Sequence, residues 1–158
     1  MIGQSNVNKL GETPVPQVFG IPVPLPTGLD RRYHEGLVAH ELVLQRCQCG
    51  GWQWPPEVIC YRCRRFDVGW STTEPSGTIF TWTKVWHAAH EALDTAVPYI
   101  IVVVELESAG GSRLVGNLLV DDVETIDIEL GAPVRGEFVD HCVDGKNYTL
   151  LQWRLVGN

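Results

Sequence analysis

A chain of 158 residues, 44% hydrophobic and 20% charged, can bury a real core and lies well away from the polar, highly charged compositions that stay disordered. No apolar run approaches the roughly 18 residues of a membrane-spanning helix. Met1 to Leu10 has no basic stretch followed by an apolar one, so neither a secretory signal nor an anchor is expected and a cytoplasmic location is.

In chain order, residues 1–29 carry Pro14, Pro16, Pro22, Pro24 and Pro26, spaced so that neither a helix nor a central strand can run through them. This segment reads as an extended arm, either a solvated tail or an apolar strap for a partner through Val15, Val18, Phe19, Ile21, Val23 and Leu25. Across 30–44 apolar residues recur at helical spacing in Tyr33, Leu37, Val38 and Leu42, with Asp30 placed to cap the start. Residues 45–68 are rich in cysteine, and from 69 to 158 the pattern turns to strands. Candidates are Thr78–Trp86, Tyr99–Leu106, Arg113–Val120, Val123–Ile128, Val134–Val139 and Tyr148–Val156. Turn signals such as Gly110-Gly111, Asp121-Asp122 and Asp144-Gly145 separate them. Five or six short strands at this spacing predict a small closed barrel.

In a reducing compartment clustered thiols more often hold metal than form disulfides. Cys47 and Cys49, with one residue between them, precede Cys60 and Cys63, with the more usual two. Two close thiol pairs joined by a short hairpin are what a tetrahedral four-cysteine zinc site needs, and with every position filled by thiolate the zinc is structural. Residues two apart in an extended segment face the same way, so the shortened first pair still aims both sulfurs at one ion. Free buried thiols, or a ribbon held by Trp52, Trp54 and Pro55-Pro56 in place of metal, are the alternatives. Cys142, alone in a strand region, reads as a small core residue.

Leu44-Gln45-Arg46-Cys47, Cys49-Gly50, Trp54-Pro55-Pro56 and Cys60 to Cys63 resemble the zinc-ribbon half of the acyl-CoA-associated zinc-ribbon/OB-fold proteins, long classed as a domain of unknown function. The likeness continues through Gly77-Thr78-Ile79-Phe80-Thr81-Trp82-Thr83, through Pro98-Tyr99 into Ile100–Leu106, and through Leu130-Gly131 with Val134. It departs at Gln48, where the family usually has two residues between its first two cysteines. The resemblance implies a mainly β protein: a helix, a rubredoxin-like zinc ribbon, then a five- to six-stranded OB-fold barrel. It also implies a heteromeric complex in which a thiolase-fold subunit, or alternatively a hydratase-fold one, supplies the catalytic residues for an acyl-CoA thioester.

A catalytic site within this chain has few candidates. His87 and His90 fall with Glu91 and Asp94 in a connection between strands and read as surface residues. His141 and Cys142 are adjacent in a strand and so face apart. Trp82 and Trp86 are expected to pack the barrel. This shortage sets the expectation that the chain has no catalytic residue of its own, and the resemblance implies that it is a partner subunit of a thiolase or aldolase complex. Arg46, Arg62, Arg64 and Arg65 form a basic cluster suited to the phosphates of coenzyme A; a solvated basic face or a surface for an acidic partner explains them equally well. Zinc ribbons and OB barrels also bind single-stranded nucleic acid over basic grooves. A net charge of −7, concentrated from Phe66 onward, sets that reading second, beside a stand-alone acyl-CoA binding or hydrolysing protein.

Overall fold

The computed structural model of the protein describes residues 24, 28–143 and 145–157, so the proline-rich arm expected over 1–29 lies almost wholly outside the described residues. Helix α1 spans Arg31–Val38. A three-stranded antiparallel sheet follows, in the order β2-β1-β3, from β1 (Leu42–Cys47), β2 (Trp52–Gln53) and β3 (Val68–Thr73). The remaining strands, β4 (Ser76–Val85), β5 (Tyr99–Leu106), β6 (Ser112–Leu118), β7 (Pro133–Val143) and β8 (Lys146–Leu155), close into a barrel in the order β4-β5-β6-β8-β7. The described residues are thus mainly β, with one short α-helix and a closed five-stranded barrel. Among the described residues no helix is long and apolar enough to cross a membrane.

The helix expected over 30–44 stops at Val38, and 42–44 are strand. The stop is a Schellman motif: the Glu41 amide bonds to the Gly36 carbonyl at 2.8 Å and the His40 amide to the Leu37 carbonyl at 2.9 Å. His40 takes the left-handed position, φ 57°, that glycine usually fills, which is why nothing in the composition marks the end. Asp30 sits at the N-cap, but its side chain makes no capping bond; its carboxylate lies 3.4 Å from His34 Nε2. Freed from the helix, Leu42, Val43 and Leu44 are all buried in β1, which pairs with β3 along its whole length.

In β5 the run of isoleucine and valine is buried on one side only: Ile100, Val102, Val104 and Leu106 are sealed, while Ile101 and Val103 are half-buried on the outer face. One core cluster runs from Leu37, Leu42 and Leu44 through these residues to Trp153, so helix, ribbon and barrel are joined by shared packing. Val123–Ile128, expected as a strand, is not one. Asp122 turns the chain by accepting the Glu124 amide at 2.9 Å and the Thr125 hydroxyl at 2.6 Å, and these bonds hold its carboxyl below the usual range. The apolar residues of this segment then pack on the core, and the Ile128 carbonyl accepts the Trp82 indole N–H at 3.1 Å. Trp82 packs the barrel as expected. Trp86 does not: it is exposed, with the Lys84 ammonium 5.5 Å over its ring. Cys142 is likewise exposed, whereas its neighbour His141 is buried and stacked on Tyr148 at 4.9 Å.

Candidate metal centre

Two tight turns carry the four thiols toward one point. In the first, the Cys47 amide bonds to the Gly51 carbonyl at 2.8 Å and the Gly50 amide returns to the Cys47 carbonyl at 2.9 Å. In the second, the Cys60 amide bonds to the Arg65 carbonyl at 2.8 Å and the Arg64 amide returns to the Cys60 carbonyl at 3.0 Å. Each turn closes through a residue of positive φ, Gly50 at 82° and Arg64 at 64°. The two are the same construction, the first shorter by one residue inside the loop. The missing residue therefore costs the first turn none of its closing bonds.

The sulfurs of Cys47, Cys49, Cys60 and Cys63 all lie within 4.8 Å of one another, with Cys47 to Cys63 at 3.5 Å and Cys49 to Cys60 at 3.8 Å. Four sulfurs about 2.3 Å from one zinc stand about 3.8 Å apart, so the cluster has the size of a tetrahedral thiolate cage. Its proton chemistry agrees. Although the Cys49 amide favours its thiolate, burial and the neighbouring sulfurs push the Cys47 thiol up to about 12. The Cys63 amide, then that of Arg62, hold the Cys60 thiol down to about 6. One sulfur gives up its proton readily and accepts from its neighbours, while another keeps its own. Ionising all four together requires a cation among them.

A pair of buried glutamines that the sequence pattern did not single out braces the second turn. Gln45 and Gln53 face each other across β1 and β2, joined by a hydrogen bond that Gln53 Nε2 donates to Gln45 Oε1 at 2.8 Å. Gln45 receives the Glu57 amide at 2.8 Å and donates to the Glu57 carbonyl at 3.0 Å; Gln53 receives the Tyr61 amide at 3.0 Å and donates to the Ile59 carbonyl at 3.3 Å. The loop between the cysteine pairs is thus clamped to the sheet by side chains standing in for a missing strand. Tyr33 links α1 to the same region, its ring 4.3 Å from that of Trp54, and burial pushes its phenol up to about 12.

The four arginines divide. Arg46 lies on β1 with its guanidinium 5.0 Å over the Trp52 ring, whereas Arg62, Arg64 and Arg65 are exposed on the second cysteine turn. His87 and His90 are exposed on the β4–β5 connection, and His141 and Cys142 face opposite ways. His40 Nε2 lies 3.0 Å from Asp140, but the Thr149 hydroxyl donates to that carboxylate, at 2.7 Å, and not to the imidazole. That is the wrong end of the pair for an activated nucleophile.

The family model for the C-terminal OB-fold domain of ChsH2 matches residues 70–139. A probable enoyl-CoA hydratase alpha subunit from Thermomonospora curvata is 35% identical over 105 residues, which are 65% of this chain; the chain spans only 30% of that relative's length. A DUF35 domain-containing scaffold protein from Methanocaldococcus jannaschii is 30% identical over 99 residues, 61% of this chain and 67% of that protein. Among solved structures, an Ltp2-ChsH2(DUF35) aldolase chain superposes with a TM-score of 0.70 at 28% identity, over 84% of this chain and 98% of that one.

Proposed function

We propose that this chain, which belongs to the DUF35 domain-containing family, is an accessory subunit without catalytic residues of its own, assembling with a separate enzyme subunit that acts on an acyl-CoA thioester. The carrying observation is the four-thiol cluster: the one grouping of metal-ligating side chains among the described residues offers a metal four sulfurs and leaves no position for substrate. A zinc ion held by Cys47, Cys49, Cys60 and Cys63 would neutralise the thiolates and lock the two turns together, a structural task. The acidic chain and the exposure of His87 and His90 support the same reading. So do the names of the relatives, which are a hydratase subunit, a scaffold protein and an aldolase complex.

Within that reading the partner is a thiolase-fold subunit carrying out thiolytic or retro-aldol carbon–carbon cleavage, with the aldolase neighbour as its support. The hydratase name of the Thermomonospora relative favours a second reading, in which the partner is a hydratase-fold subunit. Identifying the subunit that co-purifies with the native protein, then assaying the two chains separately and mixed, tests both. Carbon–carbon cleavage is expected only from the mixture. Hydration by the mixture selects the second reading, and thioester turnover by this chain alone defeats the proposal.

A further inference from the structure

We propose that the segment Val58–Phe66 is the surface through which this chain docks on its catalytic subunit, and that it seats there on an apolar spot ringed by carboxylates; the inference rests on the accessory-subunit reading. Phe66 is 77% exposed, the most exposed of the large hydrophobic side chains described, with Val58 at 54% and Tyr61 at 51%. Val58 and Phe66 line one open groove of about 520 Å3 together with Leu29, Val68 and Trp70. Grouped exposure of large apolar side chains on an otherwise polar surface marks an interaction site.

Charge selects the kind of partner. Arg31, Arg32, Arg113 and Arg154 are each paired with a glutamate of this chain. Arg62, Arg64 and Arg65, set between Tyr61 and Phe66, have no carboxylate partner among the described residues. In a chain of net charge −7 these three make a cationic face whose complement is an acidic surface. Arginine and aromatic side chains together are also the composition of interface hot spots. The scaffold beneath is already fixed: the Cys60–Arg65 turn closes on itself, and Gln53 holds Ile59 and Tyr61, so docking orders little new backbone. Coenzyme A phosphates would satisfy the arginines and leave Phe66 and Val58 in water. An acidic protein surface with an apolar centre satisfies both.

The test uses the full-length chain and the recombinant form of the catalytic subunit that co-purifies with it, with affinity measured by titration calorimetry over a range of salt. Phe66→Ser, outside the cysteine pairs, and Arg62→Glu/Arg64→Glu/Arg65→Glu are each expected to weaken the complex about tenfold or more. The wild-type affinity is expected to fall as salt rises. Metal content and melting temperature report that each variant is folded. A wild-type complex that both variants form equally well overturns this inference and leaves the accessory reading standing; failure of the wild-type chain to bind that subunit overturns both. Variants that keep the protein partner but lose coenzyme A, titrated alone, assign the face to phosphate and also overturn it.

Discussion

His40 and Asp140, 100 residues apart in sequence, meet at 3.0 and 3.1 Å through His40 Nε2 and both carboxylate oxygens, and the imidazole stacks on Phe138 at 5.3 Å and 7°. The residue that terminates α1 in the left-handed conformation is therefore also the residue that ties the helix end to the β7–β8 hairpin. A left-handed backbone at a residue with a Cβ costs roughly 1–2 kcal/mol, and the barrel contacts offset it.

Substituting His40 separates these two effects. His40→Ala keeps the strained backbone and loses both the stack and the carboxylate contact, and is expected to cost about 1–2 kcal/mol. His40→Gly loses the same contacts but relieves the strain, so it is expected to unfold at a higher urea concentration than His40→Ala. Equal midpoints would show that the backbone at this position is not strained.

Acid is expected to weaken the same contact. The Thr149 hydroxyl, then His40, hold the Asp140 carboxyl below its ordinary range. A carboxyl whose folded value lies below its unfolded value adds stability above the unfolded value, near pH 4, and that stability is lost as pH falls through the folded one. Asp140→Asn should therefore flatten the decline of stability below about pH 4. Denaturation midpoints of both proteins across pH 2–7 decide it.

Metal analysis of the purified protein is expected to return about one zinc per chain, and Cys60→Ser to abolish it. Chelation should lower the melting temperature and change the fluorescence of Trp52 and Trp54, which lie in the ribbon and pack on the shared core. No bound metal, with Cys60→Ser and Cys63→Ser melting like wild type, would mean that packing and the glutamine clamp hold the ribbon unaided.

Gln53→Ala leaves the Tyr61 amide and the Ile59 carbonyl without their side-chain partner and removes one of the bonds to Gln45, and is expected to cost about 1–3 kcal/mol. The loss should appear in metal affinity, because the loop it frees leads directly into Cys60 and Cys63. Competition against a chromophoric chelator measures this. An unchanged affinity would show that the sulfurs alone position the turn.

Gly36→Ala is expected to destabilise by about 1–3 kcal/mol, although alanine is favoured over glycine inside a helix by up to about 1 kcal/mol. A Cβ at this position meets the Val43 side chain at 2.7 Å and the Glu41 carbonyl at 2.9 Å, and the second of these is backbone that cannot swing away. Stabilisation by this substitution would contradict the close packing of α1 on β1.

The strand content, the closed barrel and the four cysteines as one cluster were determined by local pattern: β-branched runs between turn residues, and thiols paired at ligand spacing. The runs, the turn residues and the thiol spacing are each set within a few residues, so a single chain displays them even though the pairings that close the barrel are long-range. The helix end, the irregular path of Val123–Ile128 and the exposure of Cys142 and Trp86 were decided only by tertiary structure. His40 could take a conformation it disfavours because Phe138 and Asp140, from the far end of the chain, were there to receive it. Val123, Ile126 and Ile128 make the segment rich in β-branched residues like a strand, but its backbone turns at Asp122 and their side chains pack on the barrel core without entering its ladder. The glutamine clamp is a further instance, since Gln45 and Gln53 look like surface residues until strand pairing faces them toward each other and toward the loop they hold. At His40 and at the two glutamines, where the conformation or partner came from contacts formed across the fold, the one-dimensional pattern carried no trace of it.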